Sequence, residues 1–163
     1  MKMQAALVIL YATSIAAGCS DSAGPANQTD PGRFTIQVRG PTNLNMEGQA
    51  EVYPGLGSGT IERFNFVTAT PAIVYRLEIV FAPALPSPSG SFAVGSGSPV
   101  RATFFVFDRN LNDYAQIAPA QSGTLTLEEC SLAKCVGTLT GQFALGSTVQ
   151  LSTITAAFHA RFQ

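Results

Sequence analysis

Apolar residues in this chain recur at every second position, and that period limits what it can fold into. Phe34, Ile36 and Val38 face one way, with Thr35, Gln37 and Arg39 opposite. Ile73, Tyr75, Leu77, Ile79 and Phe81 repeat the pattern, with Arg76 and Glu78 on the other face. Val100, Ala102, Phe104 and Val106 do so again, although Phe105 and Phe107 make that stretch apolar on both faces. Period-two alternation, filled by β-branched and aromatic residues, is the mark of half-buried strands. Further strands are expected near Ala50–Val52 and Ile61–Thr68. Turn formers separate the runs: GPTNLNMEG, YPGLGSG, TPA, APALPSPSG, GSGSP and DRNLND. No window carries a 3.6-residue period. The expectation is an all-β domain of nine or ten mostly antiparallel strands over residues 33–163, built as one β-sandwich or a partly closed barrel.

The amino end has a different character. Lys2 precedes the apolar run Ala5–Ala12, and small residues lead to Cys19. This order is that of a secretory signal, and the run is too short to span a bilayer, which takes roughly 20 apolar residues. Ile15-Ala16-Ala17-Gly18-Cys19 resembles the lipobox of bacterial lipoproteins, with Ala16 where that family usually carries Leu. The resemblance implies cleavage before Cys19, a lipid on its sulfur and acylation of the new amine. Several acyl chains anchor stably, where one alone is marginal. Ser20, rather than Asp, after the cysteine points by the same resemblance to the outer membrane of a bacterial envelope. Residues 1–18 are then the signal peptide and 19–32 a lipidated tether. Its sequence SDSAGPANQTDPG has no large apolar side chain to offset the entropy of ordering. The sequon at Asn27 is a chance match in that setting.

Without residues 1–18, eight basic side chains face ten acidic ones. Charged residues are only 12% of the chain, about half the usual share. The positive charges are scattered singly, with no basic stripe interleaved with aromatics, so nucleic acid is not an expected partner. The membrane, through the lipid, is the expected one, together with an envelope protein or a small apolar ligand.

With Cys19 lipidated, Cys130 and Cys135 remain, and an isolated pair in an oxidising compartment closes into a disulfide. SGTLTLEEC and VGTLTGQF then form one hairpin. If Cys130 opposes Cys135, Leu125 and Leu127 share a face with Val136, while Leu139 and Phe143 fall on the other. One core can take both sets only if the ladder slips by a residue, so a β-bulge is expected, at Gly137 or Gly141. A similar change of parity from Val149 and Leu151 to Ile154, Ala156 and Phe158 predicts a second bulge at Ser152-Thr153.

Chemistry is harder to find. His159 is the only histidine and is expected on a solvated outer face. GLGSGT (55–60) lacks the Lys-Ser/Thr ending and the helix of a phosphate loop. Glu128 and Glu129 are adjacent, so a strand sends them to opposite faces. Asp108, Asn110, Asn112 and Asp113 offer calcium-type oxygens and open like an EF-hand loop. However, Asp113 stands where glycine belongs and Pro119 where the closing Glu should be, which leaves an ordinary turn as the rival. No catalytic residues and no cofactor are assigned.

The carboxyl third, SGTLTLEECSLAKCVGTLTGQFAL to TITAAFHARF, together with GSFAVG, resembles a broad set of bacterial envelope lipoproteins with Gly/Thr-rich β domains. That likeness implies no activity. Three function classes follow: a lipid-anchored, non-catalytic β domain acting in binding or structure; a lipocalin-like carrier of a small apolar ligand, suggested by the doubly apolar Phe104–Phe107; and an envelope hydrolase with carboxylates that the sequence does not pair.

Overall fold

The computed structural model describes residues 32–41, 43–56, 59–86, 88–131, 133–145 and 150–162. The segment expected as a signal peptide, Cys19, the expected tether up to residue 31 and Val149 lie outside them. The described chain is all-β: β1 (Arg33–Arg39), β2 (Leu44–Pro54), β3 (Thr60–Ala69), β4 (Ile73–Pro86), β5 (Gly90–Gly95), β6 (Val100–Asp108), β7 (Asp113–Cys130), β8 (Lys134–Phe143) and β9 (Ser152–Phe162). They form one sheet in the order β1-β2-β3-β4-β6-β5-β7-β8-β9. β9 pairs back onto β1, so the sheet closes on itself as a barrel rather than splitting into two layers. Neighbours are antiparallel except for two short parallel contacts, Glu51 and Val52 with Arg161 and Phe162, and Val94 with Val100.

The alternation maps onto the two faces of this ring. Phe34, Ile36 and Val38 are buried, and Thr35, Gln37 and Arg39 are exposed. Phenylalanines fill the interior. Phe66 packs on Phe34 at 5.5 Å and on Phe158 at 4.8 Å between ring centroids. Phe64 packs on Phe158 at 5.3 Å and on Phe81 at 5.7 Å. Leu77, Ile79, Leu125, Leu139 and Ile154 close the gaps between them. Each such side chain taken from water contributes about 1.5–3 kcal/mol. The lumen a carrier would use is therefore occupied by the protein's own side chains.

The slip in the cysteine hairpin is present. Cys130 opposes Cys135 and Glu129 opposes Val136, but Leu127 opposes Gly137. Leu125 and Leu139 thereby face each other in the core. The extra residue is Glu128, on the strand facing Gly137 rather than at Gly137 itself. The glycine serves a different need: a Cβ there would lie 2.5 Å from the Thr126 carbonyl oxygen and 3.0 Å from the Phe158 ring. A second slip leaves Gln121 unpaired between Ala120 and Ser122.

Two expectations are corrected. No bulge interrupts β9, whose register with both β8 and β1 is unbroken. The strand begins at Ser152, which is fully buried, and Leu151 precedes it and is exposed. The stretch Leu44–Gly48, taken as a breaker, continues β2. Gly48 is there for close packing, since a Cβ would meet Val67 O at 2.5 Å and the Phe34 ring at 2.9 Å.

Strand directions place the start of the described chain, the cysteine hairpin and the end of β9 at one end of the ring. The β1–β2, β3–β4 and β6–β7 turns lie at the opposite, distal end.

Candidate functional site

β7 is the longest strand, 18 residues, and it serves two partners on one side. Its first half pairs with β6, from Asp108–Asp113 to Thr103–Pro119. Its second half pairs with β5, from Gly95–Ser122 to Gly90–Leu127. β5 thus enters like a wedge, and β6 and β7 part around its tip. At this fork the ladder is interrupted and a cleft of about 490 Å³ opens. It is lined by Gly95, Ser96, Gly97, Arg101 and Thr103 on one side and by Pro119, Ala120 and Gln121 on the other.

Local sequence explains the opening. Gly95 takes φ +145°, and a Cβ there would meet Gln121 O at 2.8 Å, so only glycine lets the wedge approach β7. Ser98 then locks the return: its hydroxyl donates to Ala93 O and accepts from Val100 N. Gln121, bulged out of its ladder, has no register partner on β5, β6 or β8. Bulges re-aim side chains in this way and are common beside functional sites. Arg101 is exposed and, among the described residues, has no ion pair or side-chain hydrogen bond.

On the same outer face, further along β6 and β7, lies a groove of about 250 Å³ lined by Val74, Arg76, Phe105, Phe107 and Tyr114. Cross-strand register puts these together: Val74 opposes Phe107, which opposes Tyr114, and Arg76 opposes Phe105, which opposes Ile117. The Arg76 guanidinium lies 4.2 Å over the Phe105 ring. Tyr114 sits 5.3 Å from Phe107 and 5.8 Å from Phe105. Tyr114 is 45% exposed and Ile117 57%. This is where the second apolar face of Phe104–Phe107 goes: outward, into a surface patch rather than toward a lumenal ligand.

The face is more accessible than the adjoining edge. β8 stops at Phe143, opposite Ala120, so Asp113–Pro119 have no strand partner on that side among the described residues. A bulge at Ala115 and the missing N–H of Pro119 blunt this edge against another strand. Gln116 Nε2 donates to Ala144 O across it.

The residues singled out from sequence lie elsewhere. Cys130 and Cys135 are bridged at the near end, with their Cα atoms 4.0 Å apart. Lys134 pairs with Glu129 at 2.7 Å beside them. Glu128 and Glu129 are both exposed, because the bulge removes their alternation. In the β6–β7 turn, Asp108 Oδ1 accepts from Asn110 N at 2.8 Å and from Leu111 N at 3.4 Å. Asp113 Oδ1 accepts from Tyr114 N at 2.7 Å, and Asn112 takes φ 51°. The calcium-type oxygens Asp108 and Asp113 are thus engaged in closing a turn, with Asn110 and Asn112 within it. Among the described residues no three His, Cys, Asp or Glu side chains gather as a metal site. The GLGSGT stretch lies between β2 and β3, and of its described residues Gly55 donates its N–H to Thr60 O at 3.0 Å. His159 points outward but is half-buried, and its Nε2 is enclosed with no hydrogen-bond partner among the described residues.

A polar band crosses β2, β3 and β4 beside the groove. Tyr53 donates to Glu51 at 2.7 Å, and Arg63 pairs with Glu78 at 3.1 Å while lying 4.9 Å over the Tyr53 ring. The hydrogen bond to Glu51, helped by partial burial, holds the Tyr53 phenol above its ordinary pKa. Both carboxylates are committed to these partners, and neither lines the cleft or the groove.

Sequence reasoning missed the fork, because it exists only once β5 lies between two strands that are themselves a hairpin. Comparison with known proteins finds no family model, no curated protein and no solved structure that matches this chain.

Proposed function

We propose that this protein is a lipid-anchored, non-catalytic binding domain of the bacterial cell envelope, held at the outer membrane through Cys19 and engaging its partner along the outer face of β6 and β7. The observation that carries the binding role is the continuity of cleft and groove. Arg101 and Thr103 line the first, Phe105 and Phe107 the second, and they alternate along one strand. A track about six residues long, roughly 20 Å at 3.3 Å per residue, thus runs from a cationic end to an aromatic end. Aromatic and arginine side chains are what binding surfaces concentrate. The phenylalanine-filled interior supports an outer binding face rather than a lumenal one, and Glu51 and Glu78 are held by Tyr53 and Arg63.

The anchor is supported by the lipobox-like segment and the polar stretch after it. Mass spectrometry of the mature chain should find an acylated amino-terminal Cys19, and Cys19→Ser should move the protein out of the membrane fraction. An unmodified chain starting elsewhere would refute the anchor. For the binding role, a photoreactive residue at Ile117 should give a discrete crosslinked product in the envelope, and one at Gln37, on the outer face of β1, should not. Equal labelling from both sites, or none from Ile117, would refute it.

A further inference from the structure

We infer that the track takes an extended peptide by its free C-terminal carboxylate, seated on Arg101, with an apolar side chain upstream lodged against Phe105 and Tyr114; this rests on the binding role proposed above and names its ligand chemistry. Two other outward cations beside the track are committed, and Arg109, exposed in the β6–β7 turn, lies beyond the Phe107 end, away from the cleft. Arg63 is paired with Glu78, and Arg76 is laid on Phe105. Arg101 alone lines the cleft without a partner. One guanidinium matches one negative charge, and its planar fork fits a carboxylate through two parallel hydrogen bonds. A phosphate dianion would leave half its charge unmatched in a cleft with no second cation. The fork supplies what a chain terminus needs beside the charge. Gln121 stands outside the strand ladders, its Nε2 held only by a long 3.5 Å bond to Pro119 O, and Thr103 lines the same space.

Spacing sets the second contact. Arg101 and Phe105 are four residues apart on one strand, about 13 Å. An extended peptide covers the same length in four residues, which brings the side chain four places before its terminus over Phe105. Capture of a terminal carboxylate beside an apolar pocket is a recurring mode of peptide recognition.

The test uses the full lipidated chain in a lipid nanodisc and a fluorescein-labelled peptide, Phe-Ala-Gly-Ala-Val, with a free carboxylate, read by fluorescence anisotropy. Its C-terminal amide should bind about tenfold more weakly, as loss of a charge-assisted contact predicts. Arg101→Gln should cost the acid the same factor and leave the amide unchanged, whereas Tyr114→Ala should weaken acid and amide alike. Arg101 is exposed, so its replacement leaves the fold intact. Equal binding of acid and amide, indifference to Arg101→Gln, or displacement of the peptide by equimolar inorganic phosphate would overturn the inference. If no peptide binds while Ile117 still crosslinks, the track is a binding face of another chemistry and the carboxylate assignment falls alone. If both fail, the binding role falls with it.

Discussion

β9 and β7 are both long strands in the same ring, and they are built to different rules. β9 keeps one register with β8 and one with β1 from end to end. Its inward side chains, Ile154, Ala156, Phe158 and Ala160, are all fully buried. β7 slips at Ala115, Gln121 and Glu128, changes partner halfway, and leaves Tyr114 and Ile117 in solvent. The difference shows where each strand's sequence is constrained. A one-residue slip in β9 would turn Phe158 out of the core, so packing fixes its register. Each slip in β7 answers a local need. Glu128 reconciles the disulfide with the core, Gln121 opens the fork, and Ala115 blunts a free edge.

If β9 is the packed side and β7 the working side, mutations should separate them. Phe158→Ala removes a ring in contact with Phe64 and Phe66 and should cost about 3–5 kcal/mol in denaturant unfolding. Gly137→Val forces a side chain against the Thr126 carbonyl and the Phe158 ring. Because one obstacle is backbone, it should cost about 3 kcal/mol. Reducing the Cys130–Cys135 bridge opens a six-residue loop and should lower stability by about 2 kcal/mol on chain entropy. Phe107→Ala, on the outer groove, should cost about 1 kcal/mol or less. A larger loss there than at Phe158 would break the distinction.

The smallest effect is a pH dependence in the polar band. The Tyr53 phenol is held above its ordinary range by its bond to Glu51. A raised folded-state pKa gives a contribution that is complete below the unfolded value of about 10 and lost as pH rises through the folded value. The stability difference between the native chain and Tyr53→Phe should therefore be constant at neutral pH and shrink in strongly alkaline solution. A difference that persists there would assign the contact to packing.

Much of the ring was legible from residue order. Phe34, Ile36 and Val38 turn inward as their alternation requires, and the apolar parity of Leu125 against Leu139 forced a slip beside the cysteines. What misled was local chemistry with a nonlocal cause. Asn and Gly in Leu44–Gly48 look like a turn, yet Gly48 is small because Phe34 and Val67 press on it. Leu151 shares parity with no strand because the strand starts one residue later. Phe105 and Phe107 did announce a second apolar face, but sequence could not say whether it looked into a lumen or away from one. That depends on which strands surround them. The cleft was invisible for the same reason: Arg101 and Gln121 come to line one space only through the place of β5 in the sheet.

The placement of β1 has a mechanical consequence. Gly32 donates to His159 O at 2.6 Å and accepts from Ala50 N at 2.9 Å, and β1 is then flanked by β2 and β9 along its length. Tension drawn through the segment ahead of Gly32, against a grip at the distal end, runs parallel to these strands. The two ladders would be loaded in shear, all bonds at once, rather than peeled one by one. If the proposed anchor holds, an attachment at this point would let the domain bear a pull without surrendering its first strand.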